Sequence, residues 1–251
     1  MRTNKVSIIT PTYNSEKFIS ETIEAIQKQT YNNWELLITD DCSTDNTLKV
    51  IKKYTDKDSR VKVFQLEANS GAGVARNNSI KLASGRFIAF CDSDDVWRED
   101  KLERQVTFML KNDLSFTYSA YQKMNEKGDK GSVIYPPKKT TFKSLLKTCT
   151  IGCLTAVYDT EKLGKRYMPI IRKRQDYGLW LTIFKDIKYT EGIHDEALAY
   201  YRVRANSVSS NKLKAAKYHY RVLRECGEVS FIKSMYYFFY YSVKGVVKYL
   251  K

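Results

Sequence analysis

Two clusters of acidic residues are the chemically most informative feature of this sequence. DDCSTDNT runs from Asp40 to Thr47, and FCDSDDVW runs from Phe90 to Trp97. Each cluster directly follows a short run of strand-forming apolar residues. Carboxylates this close together repel one another and gain nothing from a core, so a cation or hydrogen-bond donors are expected among them. Mg²⁺ or Mn²⁺ bridging a diphosphate is the simplest candidate, because hard cations prefer carboxylate oxygens together with substrate phosphates.

The second cluster predicts the metal ligands. Asp92 and Asp94 form a D-x-D pair that is followed by Asp95. Proteins commonly hold Mg²⁺ or Mn²⁺ with one or two carboxylates, and phosphate oxygens complete the shell. A lone D-x-D is common by chance, but two acidic clusters at two strand ends are much less so. We therefore expect Asp94 and Asp92 to bind a divalent ion.

The first cluster predicts a site for a base. Asp41, at a strand end, could accept a hydrogen bond from the imide N–H of uracil or thymine, which other bases lack. The alternative is that Asp40, Asp41 and Asp45 cap the following helix and complement its dipole. That reading suits Asp45 but does not explain two adjacent carboxylates before the cap. Tyr13, just past the first strand, could stack on the base, or it could simply pack.

A glycine-bearing loop lies between the two acidic clusters. NSGAGVARN, from Asn69 to Asn77, leads into a helical stretch. Free backbone N–H groups and the guanidinium of Arg76 could face a phosphate there. An ordinary turn and helix start would read the same way.

Strands and helices alternate through the first hundred residues, and this pattern must position the clusters. Four runs rich in β-branched, aliphatic and aromatic residues read as strands, at residues 6–11, 34–40, 61–66 and 86–92. Three helical segments separate these strands. Ile19, Ile23 and Ile26 follow helical spacing, a second helix runs from a cap at Ser43 or Thr44 through residue 53, and residues 73–83 form the third. This alternation predicts an α/β fold with a mostly parallel central sheet flanked by helices, whose ligands bind beyond the carboxyl ends of the strands.

The second half has a mixed pattern. Strands are expected at residues 114–121 and 197–203, and helices after Asp95 and at residues 174–185. We expect a domain over residues 1–210, with a nucleotide-binding half at 1–97 and an acceptor-binding half at 98–210. A basic, aromatic helical extension over residues 211–251 follows.

Composition indicates one substantial core, and the charge suggests either a polyanionic partner or merely a soluble basic surface. The chain has 251 residues, 43% of them hydrophobic, and a formal charge of +15. Residues 202–251 contain eleven basic and two acidic residues, an excess of +9. Five scattered cysteines with no CxxC pair favour a reducing, cytoplasmic compartment, and the N-terminus does not read as a signal peptide.

The motifs in chain order resemble family 2 of the glycosyltransferases, inverting enzymes with the single-domain nucleotide-sugar fold called GT-A. The motifs are PTYN, DDCSTD, NSGAGVARN, FCDSDD, RQDYGLWL and YRVRANSVSSNK, and they cover about residues 5 to 210. The resemblance implies a nucleoside-diphosphate sugar donor and a divalent metal, Mn²⁺ or Mg²⁺. By family analogy, the acceptor is a saccharide or lipid-linked oligosaccharide of bacterial surface-polysaccharide assembly.

The resemblance also implies roles for residues in the first half. Residues matching Pro11, Tyr13 and Asp41 hold the base in that family, and the D-x-D matching Asp92 and Asp94 handles ribose and metal. Together with the preference of Asp41 for an imide, this favours a UDP-sugar.

Two departures from the family pattern lie in the second half. The catalytic base is often the Asp of an ED pair, and here Gln175 replaces the Glu and leaves Asp176. Arg204 stands where relatives often carry His or Ser, in the segment expected to contact the diphosphate. Asp176 would remove the acceptor proton during direct displacement at the anomeric carbon, which inverts its configuration. Alternatively, Asp176 is only a favourable charge at a helix N-terminus.

Two other function classes fit parts of the sequence. A basic nucleic-acid-binding module would use the +15 charge and the nineteen tyrosines, but two carboxylate clusters would repel phosphate, so no nucleic-acid partner is expected. A metal-dependent nucleotidyltransferase also uses paired aspartates on a sheet. Release of UDP, as opposed to pyrophosphate, would separate the transferases.

The tail suggests a membrane partner. Met235 to Tyr241 is a run of seven large apolar or aromatic residues, with Lys233 before it and three lysines after it. This run is too short to span a bilayer. We expect a helix that lies on an anionic cytoplasmic membrane surface, which makes the enzyme peripheral. Packing back on the domain, or a homodimer interface, is the alternative.

Overall fold

A six-stranded sheet forms the centre of the molecule. The computed structural model describes residues 4–204 and 212–247. The strands of the described chain are β1 Val6–Thr12, β2 Trp34–Asp40, β3 Val61–Gln65, β4 Phe87–Phe90, β5 Val96–Trp97, β6 Phe116–Thr117, β7 Ser119–Met124, β8 Lys130–Ile134, β9 Lys139–Thr140, β10 Val157–Asp159, β11 Thr190–Glu191 and β12 Ile193–Arg202. The helices are α1 Ile19–Gln27, α2 Thr47–Thr55, α3 Ala72–Leu82, α4 Lys101–Lys111, α5 Phe142–Lys147, α6 Thr160–Leu163, α7 Gln175–Asp186, α8 Lys212–Glu225 and α9 Phe231–Val247, with a 3₁₀ turn at Cys153–Thr155.

The central sheet has the order β3-β2-β1-β4-β10-β6. Its first four strands run parallel, and β10 is antiparallel to both β4 and β6. Every residue of β1, β2 and β4 is buried, as expected for parallel strands covered on both faces. Alternate residues enter two hydrophobic clusters, for example Ile8 on one side of the sheet and Ile9 on the other. The predicted α/β fold with a mostly parallel sheet is confirmed.

A second sheet, β5-β12-β7-β8, flanks the first, and β11 pairs with β9. The strand predicted at residues 114–121 is wrong in extent, because two strands share that segment. β6 belongs to the central sheet and β7 to the second sheet, and Tyr118 lies between them. The buried Tyr118 hydroxyl donates to the Pro137 carbonyl at 2.7 Å, so this side chain fixes the crossing point.

The helix after the first acidic cluster begins later than predicted. α2 starts at Thr47, because the residues before it form the hydrogen bonds of a turn instead of a helix. The Ser43 N–H donates to Asp40 Oδ2 at 2.9 Å, and the Thr47 N–H donates to Asp45 Oδ1 at 3.0 Å. Burial opposes ionisation of Asp45, but the hydrogen bonds from Thr47 and the Glu16 N–H outweigh it and lower the pKa of this carboxyl.

Lys101 is an ionisable side chain buried next to the end of the second acidic cluster. Lys101, the first residue of α4, is fully buried, and its Nζ donates to Gln105 Oε1 at 2.6 Å. The same ammonium lies 3.9 Å from the ring centroid of Trp97. Burial lowers the pKa of Lys101 to about 7.

Helices α8 and α9 pack against the body of the chain. Val222 and Leu223 of α8, and Cys226 just after it, lie in the same hydrophobic cluster as side chains of α7. Tyr237 and Phe238 of α9 pack on the edge of that cluster. In the described ranges, none of the helices combines the length and apolar character needed to traverse a bilayer. The division into residues 1–210 and 211–251 stays a prediction.

Candidate active site

The carboxyl ends of three neighbouring parallel strands define one edge of the central sheet. β2 ends at Asp40, β1 at Thr12 and β4 at Phe90, and the three lie side by side in the order β2-β1-β4. Both acidic clusters therefore leave the sheet at the same edge. Open α/β sheets bind their ligands beyond this edge.

Asp41 is buried and holds the loop that precedes α3. Its Oδ1 accepts from the Ser70 N–H at 2.6 Å, and its Oδ2 accepts from the Gly71 N–H at 2.8 Å. Gly71 has φ +91°, in the left-handed region that favours glycine, so the loop can turn both amides toward one carboxylate. Each oxygen retains a further lone pair. The expected contact of Asp41 with a base imide stays a prediction.

The two adjacent carboxylates at the end of β2 have different duties. Asp40 is fully buried and accepts from Ser43, so it shapes the turn before α2. Asp41 fixes the glycine loop on the other side. This division answers why a helix cap alone could not account for both residues.

The residues expected to stack on the base lie beside Asp41. The Asp41 N–H donates to the Thr12 carbonyl at 2.8 Å, which ties the two strand ends together. Pro11 is buried in β1, and Tyr13 follows the strand with 48% of its surface exposed. An exposed ring at this position is free to stack, and its contact with a base stays a prediction.

Arg76 connects the two halves of the site. It projects from α3 and is 7% exposed, and its Nη2 lies 2.5 Å from Asp92 Oδ1. Its Nη1 donates to Gln175 Oε1 at 3.2 Å. Burial disfavours the guanidinium charge, but Asp92 outweighs this and raises the pKa of Arg76. Arg76 is thus turned inward, and a direct contact with phosphate stays a prediction.

The other aspartates of the second cluster are held by arginines from the end of β12. Arg204 Nη1 lies 3.2 Å from Asp94 Oδ2, and the Arg202 N–H donates to Asp95 Oδ1 at 3.0 Å. Burial, together with the charge of Asp92, raises the pKa of Asp94, although Arg204 opposes the shift. Burial and the two neighbouring carboxylates raise the pKa of Asp95 well above its usual value.

Asp176 occupies the first turn of α7 and is partly exposed. Burial raises the pKa of its carboxyl, and the charge of Asp92 adds to the rise. The Tyr177 N–H and the charges of Arg76 and Arg174 oppose it. The structure therefore places a carboxyl of raised pKa close enough to Asp92 and Arg76 for their charges to act on it.

Comparison with known proteins identifies the family. Residues 7–163 match the model of the glycosyl transferase family 2. The chain belongs to glycosyl transferase family 2.

Relatives of similar length support this assignment. The chain is 44% identical over 243 residues to WfgD of Escherichia coli, and this match covers 97% of the chain and 94% of WfgD. WfgD is named a UDP-Glc:alpha-D-GlcNAc-diphosphoundecaprenol beta-1,3-glucosyltransferase. TuaG of Bacillus subtilis (strain 168), whose name places it in teichuronic acid biosynthesis as a glycosyltransferase, is 42% identical over 244 residues, covering 97% of the chain and 96% of TuaG.

A solved structure supports the fold. The complex of S. aureus TarS 1-349 with UDP-GlcNAc superposes with a TM-score of 0.73 at 25% identity, over 94% of this chain and 71% of that one. The GT-A fold and the resemblance to family 2 glycosyltransferases of surface-polysaccharide synthesis are both confirmed. The chain is a glycosyltransferase, and neither alternative function class is favoured.

The carboxylates of this family 2 glycosyltransferase suit a divalent metal ion only in part. No group of three or more His, Cys, Asp or Glu side chains within residues 4–204 and 212–247 is arranged to hold an ion. Asp92 and Asp94 still suit Mg²⁺ or Mn²⁺, which use one or two carboxylates when substrate phosphates supply further oxygens. Their repulsion, which contributes to the raised pKa of Asp94, is what a cation would relieve.

Sequence reasoning missed Arg202 and the contact of Gln175 with Arg76. Arg202 is 3% exposed, and its Nε donates to the Asp94 carbonyl at 2.8 Å. Gln175 donates to the Ile171 carbonyl at 2.7 Å while it accepts from Arg76. The Arg-x-Arg spacing at 202 and 204, in a sequence with two acidic clusters, was the signal that could have identified Arg202. No local sequence pattern indicates the contact of Gln175.

Proposed function

We propose that the enzyme transfers a sugar from a UDP-sugar to a lipid-linked saccharide, with inversion and with Asp176 as general base. Asp92 and Asp94 would hold the divalent metal of the donor complex. Pro11, Tyr13 and Asp41 would bind the base. Arg204 would face the diphosphate.

The observation that carries the proposal is the bridge made by Arg76. One guanidinium contacts Asp92, on the donor side, and Gln175, the residue next to Asp176. Because the nitrogens of a guanidinium are rigidly spaced, the proposed metal ligand and the residue next to the proposed base lie on either side of one small group. Direct displacement needs the departing diphosphate and the attacking hydroxyl in this close relation.

The choice of a UDP-sugar rests on two kinds of support. Asp41 suits a uracil imide, because each of its oxygens keeps a lone pair after binding the loop. The TarS complex contains UDP-GlcNAc, and the name of WfgD specifies UDP-Glc. These two donors are the first to try.

The name of WfgD supports the proposed acceptor class and the proposed inversion. Its name specifies GlcNAc linked to diphosphoundecaprenol and a β-1,3 product. UDP-glucose carries its sugar in the α configuration, so a β product means inversion. At 44% identity over 97% of the chain, the same acceptor class is proposed here.

The chain's own residues supply the proton chemistry and the orientation. Asp176 accepts the acceptor hydroxyl proton as that oxygen attacks, and a raised pKa makes its carboxylate a stronger base. The charges of Arg76 and Arg174 favour its ionised form. Arg202 and Arg204 hold the Asp94 segment. A bound divalent ion would neutralise charge on the departing diphosphate.

A cytoplasmic location belongs to the same proposal. All five cysteines are free thiols, which suits a reducing compartment. Nucleotide-sugar chemistry on a lipid-linked acceptor would then take place on the cytoplasmic face of the membrane.

Product analysis tests the proposed function. Purified enzyme with Mn²⁺ is incubated with UDP-Glc, UDP-GlcNAc and GDP-Man, each with and without a prenyl-diphosphate GlcNAc acceptor. We expect UDP release that depends on the acceptor and a disaccharide with a β linkage. Pyrophosphate release from a nucleotide donor would instead indicate a nucleotidyltransferase, and an α-linked product would refute inversion.

A further inference from the structure

Helix α9 presents two chemically different faces. Phe231, Ile232, Met235, Tyr236, Phe239 and Val243 are all exposed, between 44% and 81%, and they follow helical spacing along one side. We call these six residues the outer face. On the opposite side Ser234 is buried, and Tyr237, Phe238 and Tyr241 are partly buried. The helix is therefore anchored to the enzyme by its inner face only.

The sequence that carries the outer face is positively charged. Residues 212–251, which include α8 and α9, contain nine basic and two acidic residues, an excess of +7 out of +15 for the whole chain. The two acidic residues there are already paired, since Glu225 contacts Arg221 at 2.5 Å and Glu228 contacts Lys185 at 2.7 Å. Lys233 is exposed on α9 itself. An apolar, aromatic strip with basic surroundings complements an anionic lipid surface.

We propose that the outer face of α9 docks on an anionic bilayer, with its aromatic side chains in the headgroup region. A second copy of the chain is a poorer occupant, because a two-fold interface sets the same patch against itself and would oppose two regions of like charge. An enzyme bound in this way meets a lipid-linked acceptor at the membrane surface. This proposal goes beyond the transfer reaction, and binding is measured without substrate, so its failure and that of the proposed function are distinguishable.

Vesicle co-sedimentation of the full chain tests the docking surface. We expect binding to phosphatidylcholine vesicles that contain phosphatidylglycerol, weaker binding to pure phosphatidylcholine, and release by salt. The double variant Ile232→Asn/Phe239→Asn should bind roughly a hundredfold more weakly, because two large side chains can no longer enter the lipid. Lys233→Gln should weaken binding to the anionic vesicles about fivefold.

The matched control replaces two exposed apolar residues elsewhere. Leu110→Asn/Tyr135→Asn changes side chains that are 43% and 63% exposed, on α4 and just after β8, and it should bind vesicles like the wild type. The proposal is overturned if the intact protein stays in the supernatant with anionic vesicles. It is also overturned if the intact protein sediments as a dimer that the α9 double variant dissociates, while vesicle binding is absent.

An independent observation concerns the inner face of α9. Arg174 has φ +59°, directly before α7, and its Nη2 donates to the Tyr241 hydroxyl at 2.5 Å. The Tyr241 ring stacks on His219 of α8, with 3.9 Å between centroids. His219 in turn stacks on Tyr177 of α7 at 5.0 Å. Residues of α8 and α9 thus contact the chain on both sides of Asp176.

His219 serves this stack as an apolar ring. Its two ring nitrogens are buried and have no hydrogen-bond partner among the described residues. Burial, with the nearby charge of Arg174, lowers the pKa of His219 to about 3, so the ring is neutral. A phenyl ring would provide the same stacking surface.

We infer that Tyr241 and His219 are positioning residues, which hold the first turn of α7 and so the carboxylate of Asp176. This rests on the proposed role of Asp176 as base. Tyr241→Phe keeps the stack and removes one hydrogen bond to a charged donor, so turnover should fall about tenfold. The donor KM should not change, because the residues proposed to bind the nucleobase and the metal lie on other elements.

Steady-state kinetics with conservative variants separate positioning from folding. His219→Phe should keep wild-type turnover, whereas His219→Ala should lower it. Tyr135→Phe, at an exposed tyrosine just after β8, is the matched control and should behave like the wild type. If Asp176→Asn is inactive and Tyr241→Phe has an unchanged turnover number, the positioning role is wrong while the general base stands. If Asp176→Asn is fully active, the proposed base itself is wrong.

Discussion

Replacement of Lys101 by Met should change how the stability of the enzyme depends on pH. Lys101 is fully buried with a pKa of about 7, against about 10.4 in an unfolded chain. The folded state therefore binds fewer protons than the unfolded state between these two values. A lowered lysine pKa means that stability is lost as pH falls, and that it rises as pH increases from about 7 toward 10.

The size of the effect follows from the two pKa values. Between pH 7 and pH 9 the linkage relation gives a gain of about 2 kcal/mol in the free energy of unfolding of the wild type. Lys101→Met removes the titrating group and keeps a side chain of similar length, so the variant should lack this gain. At a single pH the comparison is less informative, because the variant also loses the contact with Trp97 and leaves Gln105 Oε1 without its donor.

Urea unfolding at pH 7, 8 and 9 checks the prediction. Other groups titrate in this range, so the quantity to follow is the difference in unfolding free energy between wild type and variant at each pH. That difference should shift by about 2 kcal/mol in favour of the wild type across the range. Parallel pH dependences would show that Lys101 is not buried as a lysine of lowered pKa.

Three further predictions concern the site. Asp94→Ala should abolish transfer and metal-dependent donor binding, and calorimetry with UDP-sugar and saturating Mn²⁺ tests this: wild-type affinity would remove Asp94 from the metal site. Asp176→Asn should leave donor binding intact while turnover falls by about two to four powers of ten, because the amide cannot accept the proton; separate binding and rate measurements decide. Asp41→Ala should weaken UDP binding by about 1.5–3 kcal/mol and relax base discrimination, whereas an equal loss for uridine, guanosine and adenosine nucleotides would assign Asp41 to the loop alone.

The parallel half of the sheet could be read from the sequence because its strands are continuous apolar runs. β1, β2 and β4 are buried on both faces, so composition alone marks them. β10 spans only Val157–Asp159 and inserts antiparallel next to β4, and three residues carry no usable pattern. The transfer of the chain between sheets at Tyr118 was likewise invisible, since both strands share one apolar run.

The candidate site also has residues that the sequence indicated and contacts that it did not. The aspartates were found because each follows a recognisable strand. The link from Arg76 to Gln175 joins residues 99 positions apart, and such pairings are set by packing that no local pattern records. The sequence of α9 was interpreted as a continuous apolar run. In the structure this helix has one exposed side and one side that contacts Arg174.

The double duty of Asp41 has an evolutionary consequence. Its carboxylate organises the glycine loop through Ser70 and Gly71, and the same carboxylate is the proposed reader of the base. A mutation that retunes position 41 for another nucleotide must also supply two acceptors for those amides. A single substitution therefore cannot change the base preference and leave the loop intact. Selection on this scaffold would find new nucleotides only through paired changes at position 41 and in the loop.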